Sequence, residues 1–214
     1  MTIQFLGAAR EVTGSKHLVT TASGKTILLD CGMYQGKGME TDAANRDLGF
    51  DPKDIHYVLL SHAHIDHTGL VPYIYKLGFR GKIFCTPATR DLCELMLQDT
   101  AFIQEQDVRW YNKKMDRQHK PKIQPLFDTN HARAVMKHFR TVEYDKTYRL
   151  DEEIDFFRAT IVECPDAPVG RVDLHILRNN RQNVLQRKYF FFGNILRQFI
   201  HKNNLTSCFF QFSK

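Results

Sequence analysis

Apolar residues in the first part of the chain occur in short runs rich in β-branched and aliphatic side chains. The runs TIQFLGA, KHLVTT and KTILLDCG are typical of strands, and Gly14-Ser15 and Ser23-Gly24 are turn signals between them. IHYVLLSH and KIFCT have the continuous apolar character of buried strands. The pattern therefore predicts a series of strands that ends shortly before Pro87.

Further along the chain the apolar spacing becomes helical. It predicts a short helix from Thr68 to Leu77 and a long one from about Ala88 to Lys113. Residues on the long helix are spaced so that an apolar stripe covers one face: Leu92, Leu95, Met96, Asp99, Phe102 and Ile103. Strands that lead into helices, without repeats, indicate an α/β or α+β layered domain.

After a polar loop with two prolines, DTNHARAVMKHF predicts a helix capped by Asp128 or Thr129, and EIDFF predicts a strand. Beyond Phe157 the pattern changes. RATIVECPDAPVGR has no helical or strand period, RNNRQNVLQRK is polar and basic, and KYFFFGNILRQFI fits a strand and a turn. The final residues, SCFFQFSK, are assigned to no helix or strand.

Composition and charge narrow the class of protein only slightly. No apolar run approaches the ~20 residues that a membrane-spanning helix needs, and the N-terminus lacks the features of a signal peptide. The net charge of +6 arises in the tail, where Pro168 to Lys214 hold eight Lys and Arg against one acid. Charge alone therefore favours nucleic-acid binding only slightly over a solvated surface.

Cysteine usage indicates a cytoplasmic protein. The cysteines are odd in number and widely spaced, with no Cys-x-x-Cys: Cys31, Cys85, Cys93, Cys164 and Cys208. This spacing argues for reduced thiols and against a disulfide framework or a cysteine-based zinc site.

The stretch VLLSHAHIDHTGLVP concentrates candidate metal ligands where a buried strand ends. Residues two apart on a strand share a face, so His62 and His64 can bind one ion, while Asp66 and His67 lie past the bend and can turn toward a neighbouring ion. Zinc accepts imidazole and carboxylate ligands. The alternative is a group of surface or capped histidines without metal, and a zinc centre needs at least three protein ligands.

SHAHIDHTG resembles the metal-binding signature of the metallo-β-lactamase superfamily. FLGAAREVTGSKHLV and ILLDCGMYQG resemble the β-CASP branch of RNA-processing nucleases, and the resemblance extends from Ile3 to about Phe157. It implies an α/β metallo-β-lactamase fold, an αββα sandwich. Residues 1–157 are then expected to form the N-terminal part of that domain, and residues 158–214 a divergent remnant of it without the β-CASP domain.

The resemblance also implies roles for individual residues. His62 and His64 correspond to ligands of one zinc, Asp66 and His67 to ligands of the other, and Asp30 to the residue that orients the metal centre. Asp30 ends an apolar strand, where an unpaired carboxylate would be costly, but it also fits a turn-forming Asp. Glu11 and Ser15 match the family pattern as well, although alone they are ordinary turn residues: AREVTGS.

The chain departs from the family after Phe157. The Gly-His pair that completes the first zinc site in the family does not occur there, and His175 is either a substitute or a structural strand residue. Gly193 stands where the fourth motif is expected, but Asn194 replaces its bridging Asp, and an amide cannot supply a charged bridging oxygen. We therefore expect a degraded or frame-disrupted remnant in a truncated chain.

The implied activity is zinc-dependent hydrolysis of RNA phosphodiester bonds by two zinc ions, with Asp66 and Asp30 as the catalytic residues beside the metal. RNA is the implied partner and no membrane is involved, while a homo-oligomer is compatible with the sequence. Without the β-CASP insert, the chain is expected to be weakly active or inactive. The alternatives are a hydrolase of small esters, thioesters or lactams, and a non-catalytic fragment.

Overall fold

The computed structural model describes most of residues 1–150 and two short segments beyond them. The described residues are 1–36, 40–119, 121–144, 146–150, 154–157 and 173–176. The chain divides into two compact units, Met1–Glu143 and Tyr144–Lys214. The candidate site lies entirely in the first unit.

A six-stranded mixed sheet forms the centre of the first unit, with its strands in sequence order: β1 (Thr2–Gly7), β2 (Lys16–Thr20), β3 (Thr26–Leu29), β4 (Tyr57–Leu59), β5 (Lys82–Cys85) and β6 (Phe139–Thr141). The first three strands are antiparallel, and β3 to β6 are parallel. Each strand predicted before Pro87 is confirmed. The carboxyl ends of β3, β4 and β5 therefore share one edge, the place where α/β sheets form binding sites.

Helices connect the parallel strands, as parallel pairing requires. Their bounds are α1 (Glu40–Arg46), α2 (Ile65–Thr68), α3 (Val71–Lys76), α4 (Pro87–Asp116) and α5 (Thr129–Val135). α5 packs against both α3 and α4. The layered α/β prediction is thus confirmed for this unit.

The core forms around one row of apolar residues that crosses the sheet. Leu28 pairs with Val58, Val58 with Ile83, and Ile83 with Phe139. All four are buried in one cluster with helix residues such as Leu97. Because side chains on neighbouring strands in register point to the same face, these short apolar runs create a continuous surface on which the helices pack.

Helix boundaries differ from the sequence prediction in three places. The single helix predicted from Thr68 to Leu77 is two short helices, α2 and α3. The helix predicted to reach Phe139 ends at Val135, because Phe139 is buried beside Ile83 and begins β6. α1 was not predicted. The predicted cap is confirmed, since the Asp128 carboxylate accepts the His131 N–H at 2.9 Å.

Most of the apolar stripe predicted on α4 lies on its solvent side, whereas Met96 is partly buried and packs against the core. The buried residues of α4 are Thr89, Cys93, Leu97, Ala101 and Met115. Leu92, Leu95, Phe102 and Ile103 are exposed, and Leu95 is 70% exposed. Small and medium side chains at a spacing of four residues let α4 approach the core closely, and this leaves the larger side chains outside.

The described part of the second unit is a three-stranded antiparallel sheet of β7 (Thr147–Arg149), β8 (Ile154–Phe157) and β9 (Asp173–Ile176). β8 confirms the strand predicted at EIDFF. His175 lies in β9, paired in register with Asp155, as the strand interpretation expects. Gly193 and Asn194 lie outside the described residues. Within the described part of the chain, no helix is long and apolar enough to cross a membrane.

Two leucines on α4 test which of its faces carries the core. Leu97 is fully buried, so Leu97→Ala should lower the free energy of unfolding by about 2–5 kcal/mol. Leu95→Ala removes the same atoms from an exposed position and should change it by no more than about 0.5 kcal/mol. Urea denaturation at submicromolar protein concentration measures both. Equal losses would contradict the assigned orientation of α4.

Candidate metal centre

The candidate ligands meet at the edge formed by the carboxyl ends of β3 and β4. Asp30 follows β3 directly. His62 and His64 lie in the loop after β4, where His64 is the N-cap of α2, and Asp66 and His67 lie in α2. The structure therefore brings together Asp30 and the four predicted metal ligands, whereas Glu11 is exposed and His175 lies in β9.

Asp30 is fully buried and accepts hydrogen bonds from the elements around it. Its Oδ1 accepts the Ser61 N–H at 2.7 Å, and its Oδ2 accepts the Ser61 hydroxyl at 2.9 Å. His67 Nδ1 lies 2.7 Å from the same Oδ2, and the Ser15 hydroxyl is more distant at 3.4 Å. Asp30 adopts the left-handed backbone conformation, with φ of 56°, which Asp tolerates better than most residues. The interpretation of Asp30 as a simple turn residue does not explain these contacts.

These contacts orient two imidazoles. When His67 Nδ1–H donates to Asp30, the Nε2 atom of His67 carries the lone pair. His62 Nδ1 lies 3.0 Å from the Ser61 hydroxyl oxygen, which itself donates to Asp30. The hydroxyl oxygen therefore accepts a hydrogen bond from His62 Nδ1–H, and the lone pair of His62 is on Nε2. Asp30 and Ser61 thus fix the tautomer of both rings that face the site.

The atoms that could bind a metal lie in two pairs. His62 Nε2 lies 3.1 Å from His64 Nδ1, and His67 Nε2 lies 3.5 Å from Asp66 Oδ2. Two ligands of one tetrahedral zinc, each at 2.0–2.1 Å from the ion, lie about 3.3 Å apart, so either pair has the spacing of two ligands on one ion. Within the described residues, no group of three or more such side chains is arranged to hold an ion.

The two anchored histidines have opposite pKa shifts. Burial, together with the nearby His67, lowers the pKa of His62 to about 4. Burial also acts to lower the pKa of His67, but the hydrogen bond and negative charge of Asp30 outweigh it and raise that pKa above its usual value. His62 is therefore a neutral imidazole at neutral pH, the form that binds a metal.

Backbone contacts hold the loop after β3 and the loop before β2 against α2, which follows β4. Cys31 N–H donates to the His67 carbonyl at 2.8 Å, and Ser15 N–H donates to the Asp66 carbonyl at 2.9 Å. A Cβ atom on Gly32 would lie 1.6 Å from the Asp66 carbonyl oxygen. The residue at position 32 must therefore lack a side chain for the loop after β3 to approach α2 this closely.

Two residues around the site were not singled out by the sequence. Ser61 links His62 to Asp30, and it lies next to the motif but resembles an ordinary strand-end serine. Lys16 is fully buried, with Nζ 3.3 Å from the Gly14 carbonyl and 3.2 Å from the Gly32 carbonyl. A lysine at the start of a strand is normally exposed, so no sequence signal identifies it. Ser15 reaches the site through Asp30, whereas Glu11 is exposed.

Known proteins match the part of the chain that contains this site. Residues 13–97 match the family model described as the metallo-beta-lactamase superfamily. Ribonuclease TTHA0252 of Thermus thermophilus is 41% identical over 150 residues, which are 70% of this chain and 30% of that protein. Cleavage and polyadenylation specificity factor subunit 3-II of Arabidopsis thaliana is 31% identical over 155 residues, 70% of this chain and 23% of that protein.

Two further matches extend the comparison. Transcription termination factor FttA of Methanosarcina mazei is 40% identical over 95 residues, 44% of this chain and 15% of that protein. The structure of a metallo-beta-lactamase from Cronobacter sakazakii superposes with a TM-score of 0.45 at 14% identity, covering 81% of this chain and 52% of that one. The chain thus spans less than a third of the length of these curated relatives.

Asp30→Asn tests whether the Asp30 carboxylate sets the protonation of His67. In the metal-free protein we expect the pKa of His67 to fall below its usual value, because burial then acts without the opposing charge. Imidazole resonances followed by NMR across pH measure this pKa. The matched control Asp66→Asn should lower it less, because Asp66 contributes the smallest of the effects that raise it. An unchanged His67 pKa in Asp30→Asn would refute the assigned hydrogen bond.

The pKa shifts of His62 and His67 also determine how the free energy of unfolding changes with pH. His62 has a lowered pKa when folded, so its contribution to stability is lost as pH falls from about 6.5 toward about 4. The raised pKa of His67 acts in the opposite direction, and its stabilising contribution is lost as pH rises through that pKa. In His62→Gln, the free energy of unfolding measured by urea denaturation should therefore fall less between about pH 6.5 and about pH 4 than it does in wild type.

Gly32→Ala tests the close approach of the loop after β3 to α2. The added Cβ would overlap the Asp66 carbonyl, so we expect a loss of about 2 kcal/mol or more in the free energy of unfolding and weaker zinc binding. Gly24→Ala is the control: its Cβ meets nothing within 4 Å, although its φ of +88° still imposes backbone strain. The control should lose about 1 kcal/mol and keep its zinc affinity. Equal zinc affinity in both variants would contradict the packing described.

Proposed function

Because this chain belongs to the β-CASP branch of the metallo-β-lactamase superfamily, we propose that it carries the zinc-binding part of a hydrolase that cleaves RNA phosphodiester bonds. The observation that carries the proposal is the pair of oriented imidazoles, His62 and His67, fixed through one buried carboxylate. Each has its free nitrogen beside a second donor, at the spacing of two ligands on one ion.

The donor set suits zinc. We assign His62 and His64 to one ion and Asp66 and His67 to a second, in line with the distances within each pair. Bound zinc would lower the pKa of a water to supply a nucleophile at neutral pH and would neutralise charge on the phosphoryl oxygens. Each described pair gives two ligands, whereas catalytic zinc has three protein ligands, so we expect weak binding and slow chemistry.

Asp30, Ser61 and Asp66 also position protons and water at the site. Asp30 holds the proton of His67 on Nδ1, and through the Ser61 hydroxyl it holds the proton of His62 on Nδ1. The ring nitrogens facing the site then need no rearrangement before they bind. One carboxylate oxygen of Asp66 would be a ligand, and the other would accept a hydrogen bond from the attacking water and so orient it.

RNA is the substrate class we favour. Relatives named as a ribonuclease and as a cleavage and polyadenylation factor subunit match 70% of this chain, well beyond the histidine motif. We further propose that residues 1–157 form the N-terminal part of the metallo-β-lactamase domain and that residues 158–214 are a divergent remainder of the same domain. The alternatives, a small-ester or lactam hydrolase and a non-catalytic fragment, are separated by the experiments below.

We also propose a cytoplasmic location. Cys31 and Cys93 are buried free thiols, as expected for a reducing compartment. Burial raises the pKa of Cys31 and of Cys93 to about 12, so these thiols are unreactive core residues.

Zinc binding is the first test. We expect the purified chain to bind zinc and His64→Ala to lose at least about tenfold in affinity, measured by competition with a chromophoric chelator. His119→Asn is the control, because His119 is exposed, lies in the turn after α4 and has a φ of 52°, which Asn tolerates. Equal zinc affinity in wild type and His64→Ala would remove the metal site from the proposal.

Cleavage is the second test. With protein in excess over a labelled single-stranded RNA, we expect slow cleavage that requires zinc, disappears in His64→Ala and persists in His119→Asn. Chromogenic esters, thioesters and lactams are assayed in parallel. Hydrolysis of a small substrate with intact RNA would favour the small-molecule alternative. Zinc binding without hydrolysis of either substrate class would favour the non-catalytic alternative.

A further inference from the structure

The outer face of α4 carries a row of exposed side chains along most of its length. The row, called the outer stripe below, consists of Leu92, Leu95, Asp99, Phe102, Ile103, Gln106, Trp110 and Lys113. Apart from the neighbours Phe102 and Ile103, its members recur three or four residues apart, so they form one face of the helix, opposite the buried Cys93, Leu97 and Ala101. Large exposed side chains such as Trp110 and Leu95, at 68% and 70% exposure, are unusual in one continuous row.

The outer stripe is nearly symmetric about a point between Phe102 and Ile103: the three inner pairs match in polarity, and only the outermost pair, Leu92 and Lys113, differs. Moving outward, Asp99 is matched by Gln106, Leu95 by Trp110, and Leu92 by Lys113. The intervals between members are also symmetric about that point. A face with this symmetry fits an antiparallel copy of itself, which is the requirement for a two-fold symmetric interface.

We propose that the outer stripe is a homodimer interface, in which the α4 helices of two copies pack antiparallel with the two-fold axis between Phe102 and Ile103. In this pairing Phe102 contacts Ile103 of the second copy and Leu95 contacts Trp110. The polar member Asp99 meets the Gln106 amide, which can donate a hydrogen bond to its carboxylate. Leu92 of each copy lies opposite Lys113 of the other, where the aliphatic part of the lysine covers the leucine and its ammonium group stays in water.

Charges flanking the outer stripe favour the same arrangement. Asp91 lies at its N-terminal end, and Lys113 and Lys114 lie at its C-terminal end, all of them exposed. Antiparallel packing places Asp91 of one copy beside Lys113 of the other, on the same side of the interface and at both of its ends. A parallel pair would instead place like charges together. The pairing does not depend on the metal site, so it stands or fails separately from the proposed activity.

Sedimentation velocity over a range of concentrations tests the association. We expect the full chain to dimerise at micromolar concentrations and Phe102→Glu to weaken dimerisation at least about tenfold. Val12→Glu is the control, because Val12 is 90% exposed and lies outside the outer stripe. A wild-type chain that stays monomeric throughout overturns the proposal. So does a monomer that Phe102→Glu destabilises, since another part of the same chain would then cover the stripe.

Disulfide trapping tests the direction of packing. In a background with Cys164 and Cys208 replaced by Ser, Phe102→Cys lies at the axis and should form a covalent dimer on mild oxidation. Leu95→Cys should not, because its two copies would lie about 22 Å apart along the helix axis. Mixing Leu95→Cys with Trp110→Cys should restore the cross-link. Efficient self-linking of Leu95→Cys would show parallel packing and overturn the proposal.

A charge exchange tests the pairing at the ends. Asp91→Lys and the double variant K113E/K114E each place like charges together in their own dimers, so each should dimerise more weakly than wild type. A mixture of the two should form a heterodimer more tightly than either homodimer, because opposite charges then meet at both ends. Equal association of the homodimers and the mixture would contradict the antiparallel assignment.

Discussion

The buried carboxylate of Asp30 is the interaction on which the site depends. An ionised carboxylate removed from water is tolerated only when its oxygens are hydrogen-bonded, and the Ser61 backbone and hydroxyl together with His67 provide these bonds. The same bonds decide which nitrogen of each imidazole faces the site. The requirement that stabilises Asp30 in the fold is therefore also what orients His62 and His67 for a ligand.

This arrangement requires loops from different strands to come unusually close. Gly32 lets the backbone after β3 lie against the Asp66 carbonyl. The fully buried Lys16 donates hydrogen bonds to both the Gly14 and the Gly32 carbonyls. Lys16 also lies over the Tyr34 ring, 4.2 Å from its centre, which offsets part of the cost of burying its charge. The geometry of the candidate site thus depends on backbone packing and a buried cation as much as on the side chains proposed as ligands.

The helix α4 shows how a single amphipathic pattern can be misread. Its apolar stripe is evident from the sequence, but the residues that pack in the core are Cys93, Leu97 and Ala101. These smaller side chains let the helix lie closer to the sheet. Hydrophobic spacing specifies that a helix has an apolar face, while the shape of the sheet beneath it selects which side chains fit there. On α4 the large side chains are left outside, where they are available to a partner.

Local pattern by itself determined the strands from Thr2 to Cys85, the long helix, a helix cap at Asp128 or Thr129 and the family, because these depend on spacing and on residue types close together in the chain. Residues from Asp30 to His67 could also be identified as one candidate site. Only the tertiary structure decided that Ser61 links His62 to Asp30, that Lys16 is buried and that Phe139 leaves its helix to complete a sheet. The reason is that burial and hydrogen bonding are set by contacts between segments distant in sequence, and no local pattern records them.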